Sequence, residues 1–188
     1  MNKMKIIVPA FIIMVLLQWY FPLKAVWQSE HILATGNEYK FRTMPVDPKD
    51  PFRGKYVTLN YEATTVPIDE ADAWQTISEA YGIIQLDTEG YARFVALQKT
   101  QPASSIDYMK VKIDNIKAGE DPKAIVALPF KRFYVEESKA KAVEDLYRKH
   151  QRDPNSVTYA LVAVKGGEGQ LKDLQVNGTS ILEHVQVE

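Results

Sequence analysis

Charged side chains and a tyrosine crowd one proline-stiffened stretch: Asp47-Pro48-Lys49-Asp50-Pro51-Phe52-Arg53-Gly54-Lys55-Tyr56, with Pro45 just before it. Proline fixes φ and removes a backbone donor, so the stretch is expected to be a loop rather than part of a sheet. Held on such a loop, Asp47, Asp50, Arg53, Lys55 and Tyr56 form a candidate ligand- or partner-binding site. Carboxylates beside an arginine can bind a hard cation, an anionic ligand or a partner's peptide. They can equally pair with one another, which is the commoner outcome. The spacing is not that of an EF-hand loop, so no metal ligand set and no cofactor are expected.

The elements flanking the loop must position it. A strand is expected over Lys55–Glu62, because Val57, Leu59 and Tyr61 fall on one face and Tyr56, Thr58 and Asn60 on the other. Leu59 and Tyr61 are then core residues and Tyr56 lies under the loop. Before it, Tyr39–Arg42 alternates as a first strand. After it, Trp74, Ile77 and Tyr81 fall at helical spacing. Ile83–Leu86 and Tyr91–Leu97 make a hairpin about Asp87-Thr88-Glu89-Gly90. Tyr108–Ile113 alternates cleanly, and Ala124–Val135 is a strand interrupted near Pro129. Ala140, Val143, Leu146 and Tyr147 form the stripe of an amphipathic helix, with Glu136 and Glu137 near its start and Arg148, Lys149 and Arg152 near its end, as the helix dipole favours. Val157–Val164, apolar on both faces, is a central covered strand in which Leu161 is expected to be buried. Gly166–Gly169 turns it into a last ribbon that ends at Asn177-Gly178, and Ile181–Val187 alternates enough to be an edge strand. The total is an α+β body, mostly antiparallel, with one or two amphipathic helices.

The body is tethered. Ile6 to Leu23 is a run of about 18 residues without a charge, long enough to cross a bilayer as one helix. Trp19 and Tyr20 suit an interfacial aromatic belt, and Pro9 sits near the start, where a missing N–H costs least. A cleaved signal peptide would want a shorter apolar core and small residues at its end. Lys3, Lys5 and the terminal amine, against Lys24 alone beyond the span, favour a cytoplasmic N-terminus at an inner membrane and a periplasmic or extracellular body. The expected organisation is an anchor over 1–24, a short juxtamembrane neck over 25–37, with Val26, Trp27, Ile32 and Leu33 among polar residues, and one domain over 38–188.

Composition removes several classes of function. The 188 residues carry a net charge of −1, so no basic surplus points to nucleic acid. The absence of cysteine removes disulfides, thiolate nucleophiles and cysteine-zinc sites together. His31, His150 and His184 are far apart, and neither His150 nor His184 has a partner at metal-ligand spacing. Ser138-Lys139-Ala140-Lys141 matches an S-x-x-K pattern and Lys165-Gly166-Gly167 loosely echoes K-T-G, but the two lie too close in sequence and the S-D-N element is missing. The bland reading is a serine near a helix start followed by solvated lysines.

The stretch from Val46 to Glu62 resembles the signature of the bacterial GDYXXLXY family, named for its motif. Gly54, Tyr56, Leu59 and Tyr61 match it, and Lys55 stands where the family's name has Asp. The hydrophobic N-terminal span, the Arg132–Glu136 joint and the ribbon ending Leu174–Gly178 extend the resemblance over most of the chain. It implies a single-span protein, of a kind often encoded near multi-pass membrane proteins, and it implies no reaction. The functional expectation is a membrane-anchored accessory or scaffold domain with a membrane-protein partner and no defined catalysis. The alternative is a cell-envelope hydrolase or ligand-binding enzyme that uses the Asp47–Arg53 loop.

Overall fold

The computed structural model describes residues 4–45 and 56–186. The chain begins with one helix, α1 (Met4–Thr35), of 32 residues. It is long and apolar enough to cross a membrane, and none of its apolar window is buried against the body. Burial in a protein core therefore does not explain these side chains. The helix is continuous through the stretch expected to form a separate neck. Residues 25–35 continue the helix without a break, now with polar side chains among the apolar ones, and Ile32 is buried against the body. Pro22 lies inside it and leaves the carbonyl of Gln18 without a helical donor.

The helix stops at Gly36, whose N–H donates to the Ile32 carbonyl at 2.8 Å. A Cβ on Gly36 would lie 2.7 Å from the Ile32 oxygen and 3.1 Å from both the backbone nitrogen and oxygen of Val164. All three neighbours are backbone, so they cannot swing away, and only glycine fits.

The strands that follow are β1 (Asn37–Met44), β2 (Tyr56–Thr58), β3 (Asn60–Tyr61), β4 (Thr65–Pro67), β5 (Glu79–Leu86), β6 (Ala92–Gln98), β7 (Tyr108–Lys117), β8 (Lys123–Ala127) and β9 (Arg132–Tyr134). Helix α2 (Glu137–Arg152) precedes β10 (Thr158–Lys165), β11 (Glu168–Val176), β12 (Thr179–Ser180) and the short helix α3 (Ile181–Gln186). One sheet has the order β12-β11-β10-β1-β3, the second β4-β8-β7-β5-β6, and β2 pairs with β9 as a small ribbon. Every strand ladder is antiparallel. The body is α+β, as the periodicities imply. The two large sheets join at a parallel bridge between Met109 and Gly167, where the Lys110 N–H donates to the Gly167 carbonyl at 2.8 Å.

The core lies between the sheets. Phe41 on β1 is fully buried and meets Tyr61, Phe94 and Phe130 at centroid distances of 6.4, 5.8 and 5.9 Å. Those three rings come from β3, β6 and the loop before β9, so one side chain ties both sheets together. Helix α2 buries Ala140, Val143 and Tyr147, the stripe its spacing implies.

Three expectations need correction. Trp74 lies in a 3-10 turn, Asp72–Trp74, and Tyr81 lies in β5, so their spacing is not that of one helix. The segment expected as an edge strand is α3, in which Ile181 is buried while Leu182 and Val185 pack on the core. Leu161 is only half-buried, although its strand β10 is central and buried on both faces around it.

Leu59 is 1 % exposed and sits in the main core. Leu59→Ala is expected to cost about 2–5 kcal/mol, through lost burial and a cavity. Leu161→Ala should cost less, under about 2 kcal/mol, because part of the side chain already meets water. Denaturant melts of the full chain in detergent check both; a larger loss at Leu161 would contradict the placement.

Candidate functional site

The polar loop is fixed at both ends. Met44 pairs with Asn60 and Thr43 with Tyr61, so β1 and β3 close its base. Tyr56 pairs with Tyr134 and Val57 with Phe133, which ties the returning chain to β9, and the Leu59 N–H donates to the Lys131 carbonyl at 2.9 Å. Helix α1 and the base of the loop sit at opposite ends of β1. Asn37, beside Gly36, pairs with Val164, whereas Met44 at the other end leads into Pro45; eight strand residues separate them, about 25 Å.

Asp47, Asp50, Arg53, Gly54 and Lys55 lie outside the described residues. Tyr56 is half-buried at the loop's base; its ring is 5.6 Å from that of Tyr134, with the Arg132 guanidinium 4.6 Å above it. Leu59 and Tyr61 are buried, and the alternation of Val57, Leu59 and Tyr61 toward the core persists although the ladder breaks at Leu59. The Tyr61 hydroxyl donates to the Phe130 carbonyl at 2.8 Å, and burial pushes its pKa up, so it stays a neutral donor. The described motif residues therefore close the core under the loop, with Tyr56 alone at the surface.

Beside this base lies a polar cleft that local sequence did not disclose. A cavity of about 500 Å³ is lined by Arg42, Glu62, Thr65, Asp87, Tyr91 and Arg93, among others. A second, of about 270 Å³, includes Thr43, Pro45, Gln151 and Ser156 and shares Arg42 and Glu62 with the first. The Arg42 guanidinium stands 4.2 Å over the Tyr91 ring and donates to Glu89 at 2.5 Å, while its Nε is buried without a partner among the described residues. The sequence signal for Arg42 is slight: it is the outward residue between Phe41 and Thr43 on an alternating strand. Its neighbours come from distant segments that only the tertiary fold brings together.

Asp87 orders one wall. Its Oδ1 accepts the N–H groups of Glu89 and Tyr91, each at 2.9 Å. Those bonds, the Tyr91 one foremost, lower its pKa, and the charges of Arg42 and Arg93 add to the effect. Under the other wall, Thr43 and Thr158 bond through their hydroxyls at 2.7 Å, and the Gln151 amide donates to Thr43 at 3.1 Å and to the Tyr147 hydroxyl at 2.6 Å. This network satisfies buried polar groups and pins the end of α2 to β1 and β10.

Among the described residues, the Ser, His and Asp side chains that lie near one another do not form a triad. Ser156 Oγ lies 2.9 Å from His150 Nδ1, but Asp153 approaches the serine, at 3.4 Å, rather than the imidazole, so no acid orients a base. Ser138 is exposed on the first turn of α2, while Lys165 donates to Thr35 at the anchor helix. The His150 and His184 rings stand 6.2 Å apart, closer than their sequence separation implied. His184 is half-buried in α3. Among the described residues, no group of three His, Cys, Asp or Glu side chains is gathered for a metal.

A family model described as GDYXXLXY protein matches residues 18–174. The chain belongs to the GDYXXLXY family. The match takes in the second half of the apolar helix, the loop, α2 and both sheets except β12 and the end of β11, so the family's pattern covers the junction of helix and body as well as the motif. No curated protein and no solved structure matches the chain. Family and apolar helix together are compatible with a membrane-anchored, non-catalytic protein.

Two outcomes check this geometry. Tyr61→Phe leaves the buried Phe130 carbonyl without its donor and should cost about 1–3 kcal/mol in a denaturant melt, with the fold retained. Asp87 has a folded-state pKa below its unfolded value. Its contribution is therefore present above the unfolded pKa and lost as pH falls through the lower, folded one. In an NMR acid titration, the amide signals of Glu89 and Tyr91 should hold steady at neutral pH and move only below the ordinary aspartate range; movement near neutrality would contradict the cap.

Proposed function

We propose that this GDYXXLXY protein is an accessory or scaffold domain held at a cell inner membrane by α1, with its N-terminus cytoplasmic and its body periplasmic or extracellular. It engages a membrane-protein partner through the loop between β1 and β2. The observation that carries this reading is the unbroken helix, with its apolar window clear of the body, running directly into the folded domain. Tethering confines the body to encounters beside the bilayer and raises its effective concentration there. Exposed apolar side chains border the loop's base: Met44 at the end of β1, Tyr134 opposite Tyr56, and Val157 on the smaller cavity. Such side chains at a polar loop favour a protein partner.

One observation favours a second reading. The cleft at Arg42 and Glu62 is of ligand size, carries both charge signs and opens beside the same loop. An envelope ligand-binding protein or hydrolase would use it together with Asp47, Asp50 and Arg53.

Topology is tested by C-terminal fusions to alkaline phosphatase and to a cytoplasm-only reporter, with the mass of the mature chain measured alongside. Phosphatase activity and a full-length mass are expected. Activity only from the cytoplasmic reporter would reverse the orientation, and loss of about 25 N-terminal residues would mean cleavage. The loop is tested by Asp50→Ala combined with Arg53→Ala. This variant should melt like the parent chain and lose co-purification with its membrane partner. A folded variant that captures every partner as well as the parent would remove the loop from the account.

A further inference from the structure

The anchor helix fixes the height of the body above the bilayer, because α1 does not break between the span and Gly36. With Leu23 at the edge of the hydrocarbon, a rise of about 1.5 Å per residue puts Trp27 about 6 Å farther out and Gln28 about 7–8 Å. The headgroup layer on each side is about 5–7 Å deep. Trp27 is 69 % exposed and therefore stands in that layer. Gln28 donates to Glu168 at 2.6 Å, which brings the β10–β11 turn down to the outer margin of the headgroups. Between helix and turn lies a cleft of about 220 Å³, lined by Trp27, Gln28, His31, Ile32, Lys165 and Glu168, with Gly166 at its rim.

The chemistry of that cleft is zwitterionic. The Lys165 ammonium donates one hydrogen to Thr35 Oγ1 at 2.7 Å, makes no ion pair among the described residues, and has two further hydrogens to give. Glu168 accepts from Gln28 through Oε2, and among the described residues its other oxygen has no partner. A free cation and a half-used carboxylate thus face one small cleft at headgroup depth. Trp27 offers an indole ring, T-shaped on His31 at 5.5 Å, of the kind that settles between acyl chains and headgroups.

We propose that this cleft holds the headgroup of a phospholipid from the surrounding bilayer, of the class that carries a phosphate and a primary ammonium. Lys165 takes the phosphate and Glu168 the ammonium. A quaternary ammonium has no N–H to give Glu168, so a choline headgroup fits less well. The inference rests on the reading that the span is retained in the membrane.

The test uses the full chain, first purified from the producing membranes and then reconstituted in bilayers of equal parts phosphatidylethanolamine and phosphatidylcholine. After gentle extraction, native mass spectrometry weighs the protein with its retained lipid. One phosphatidylethanolamine per chain is expected, in preference to phosphatidylcholine. Lys165→Gln and Glu168→Gln should each reduce its retention by about tenfold, the scale of one charge-assisted hydrogen bond, and Glu168→Gln should do so with melting unchanged. Glu168→Gln keeps an acceptor for Gln28, so it separates loss of headgroup binding from loosening of the helix. Equal retention of the two lipids, no retained lipid on a full-length chain, or full retention by both variants overturns the inference alone. A purified chain whose mass lacks the span overturns the retained anchor, and this inference with it.

Discussion

The close approach of backbone to backbone at Gly36 is the constraint on which the arrangement rests. Ile32, the last full turn of the anchor helix and Val164 of the central strand converge there with no room for a Cβ. Two side-chain bonds flank it, Lys165 to Thr35 and Gln28 to Glu168, both from the turn that joins β10 and β11. The helix therefore docks against the end of the central strand β10, and one residue, Gly36, separates it from β1. Gly36→Ala would have to part these backbones, and the register of β1 against β10 begins at the very next residue. The end of the apolar helix and the start of the sheet are set by one joint.

From that joint the sheet carries order outward. Asn37 to Arg42 run in unbroken register along β10 and place Phe41 at the meeting point of both sheets. Beyond it, Thr43 enters the buried network with Thr158 and Gln151, and the pairing of Met44 with Asn60 closes the base of the polar loop. The described residues of the family motif work here as packing elements. Leu59 and Tyr61 fill the core, and the Tyr61 hydroxyl satisfies a carbonyl that would otherwise be buried unpaired. The residues that flank the loop thus form a base closed by paired strands.

Much of this was legible where the period is long and clean. The two-residue alternation of Tyr108–Ile113, the doubly apolar β10 and the stripe of α2 each met the element their period specifies. Short apolar patterns misled. Trp74, Ile77 and Tyr81 share a spacing, but a 3-10 turn and a strand divide them. Ile181, Leu182 and Val185 suit one turn of helix as well as an edge strand, and a six-residue segment cannot separate the two periods. Leu161 shows another limit. Apolar character on both faces of a strand identifies it as central, yet which residue is fully covered depends on what crosses that point of the sheet. The Arg42 cleft was not legible, because its lining comes from segments far apart in the chain, with no local spacing to betray it.

The central claim is that span and body form one rigid piece. The chain has no cysteine, so spin labels can be placed in pairs without background. Ala25→Cys on the exposed anchor helix and Lys149→Cys on α2 report the distance across the joint; Lys117→Cys with Lys149→Cys, both within the body, serves as the control. Measured by pulsed electron spin resonance on the full chain in bilayers, the pair across the joint should give a single distance peak no broader than the control. A broad or multiple distribution across the joint, with the control still narrow, would show a hinge at Gly36 and contradict the account.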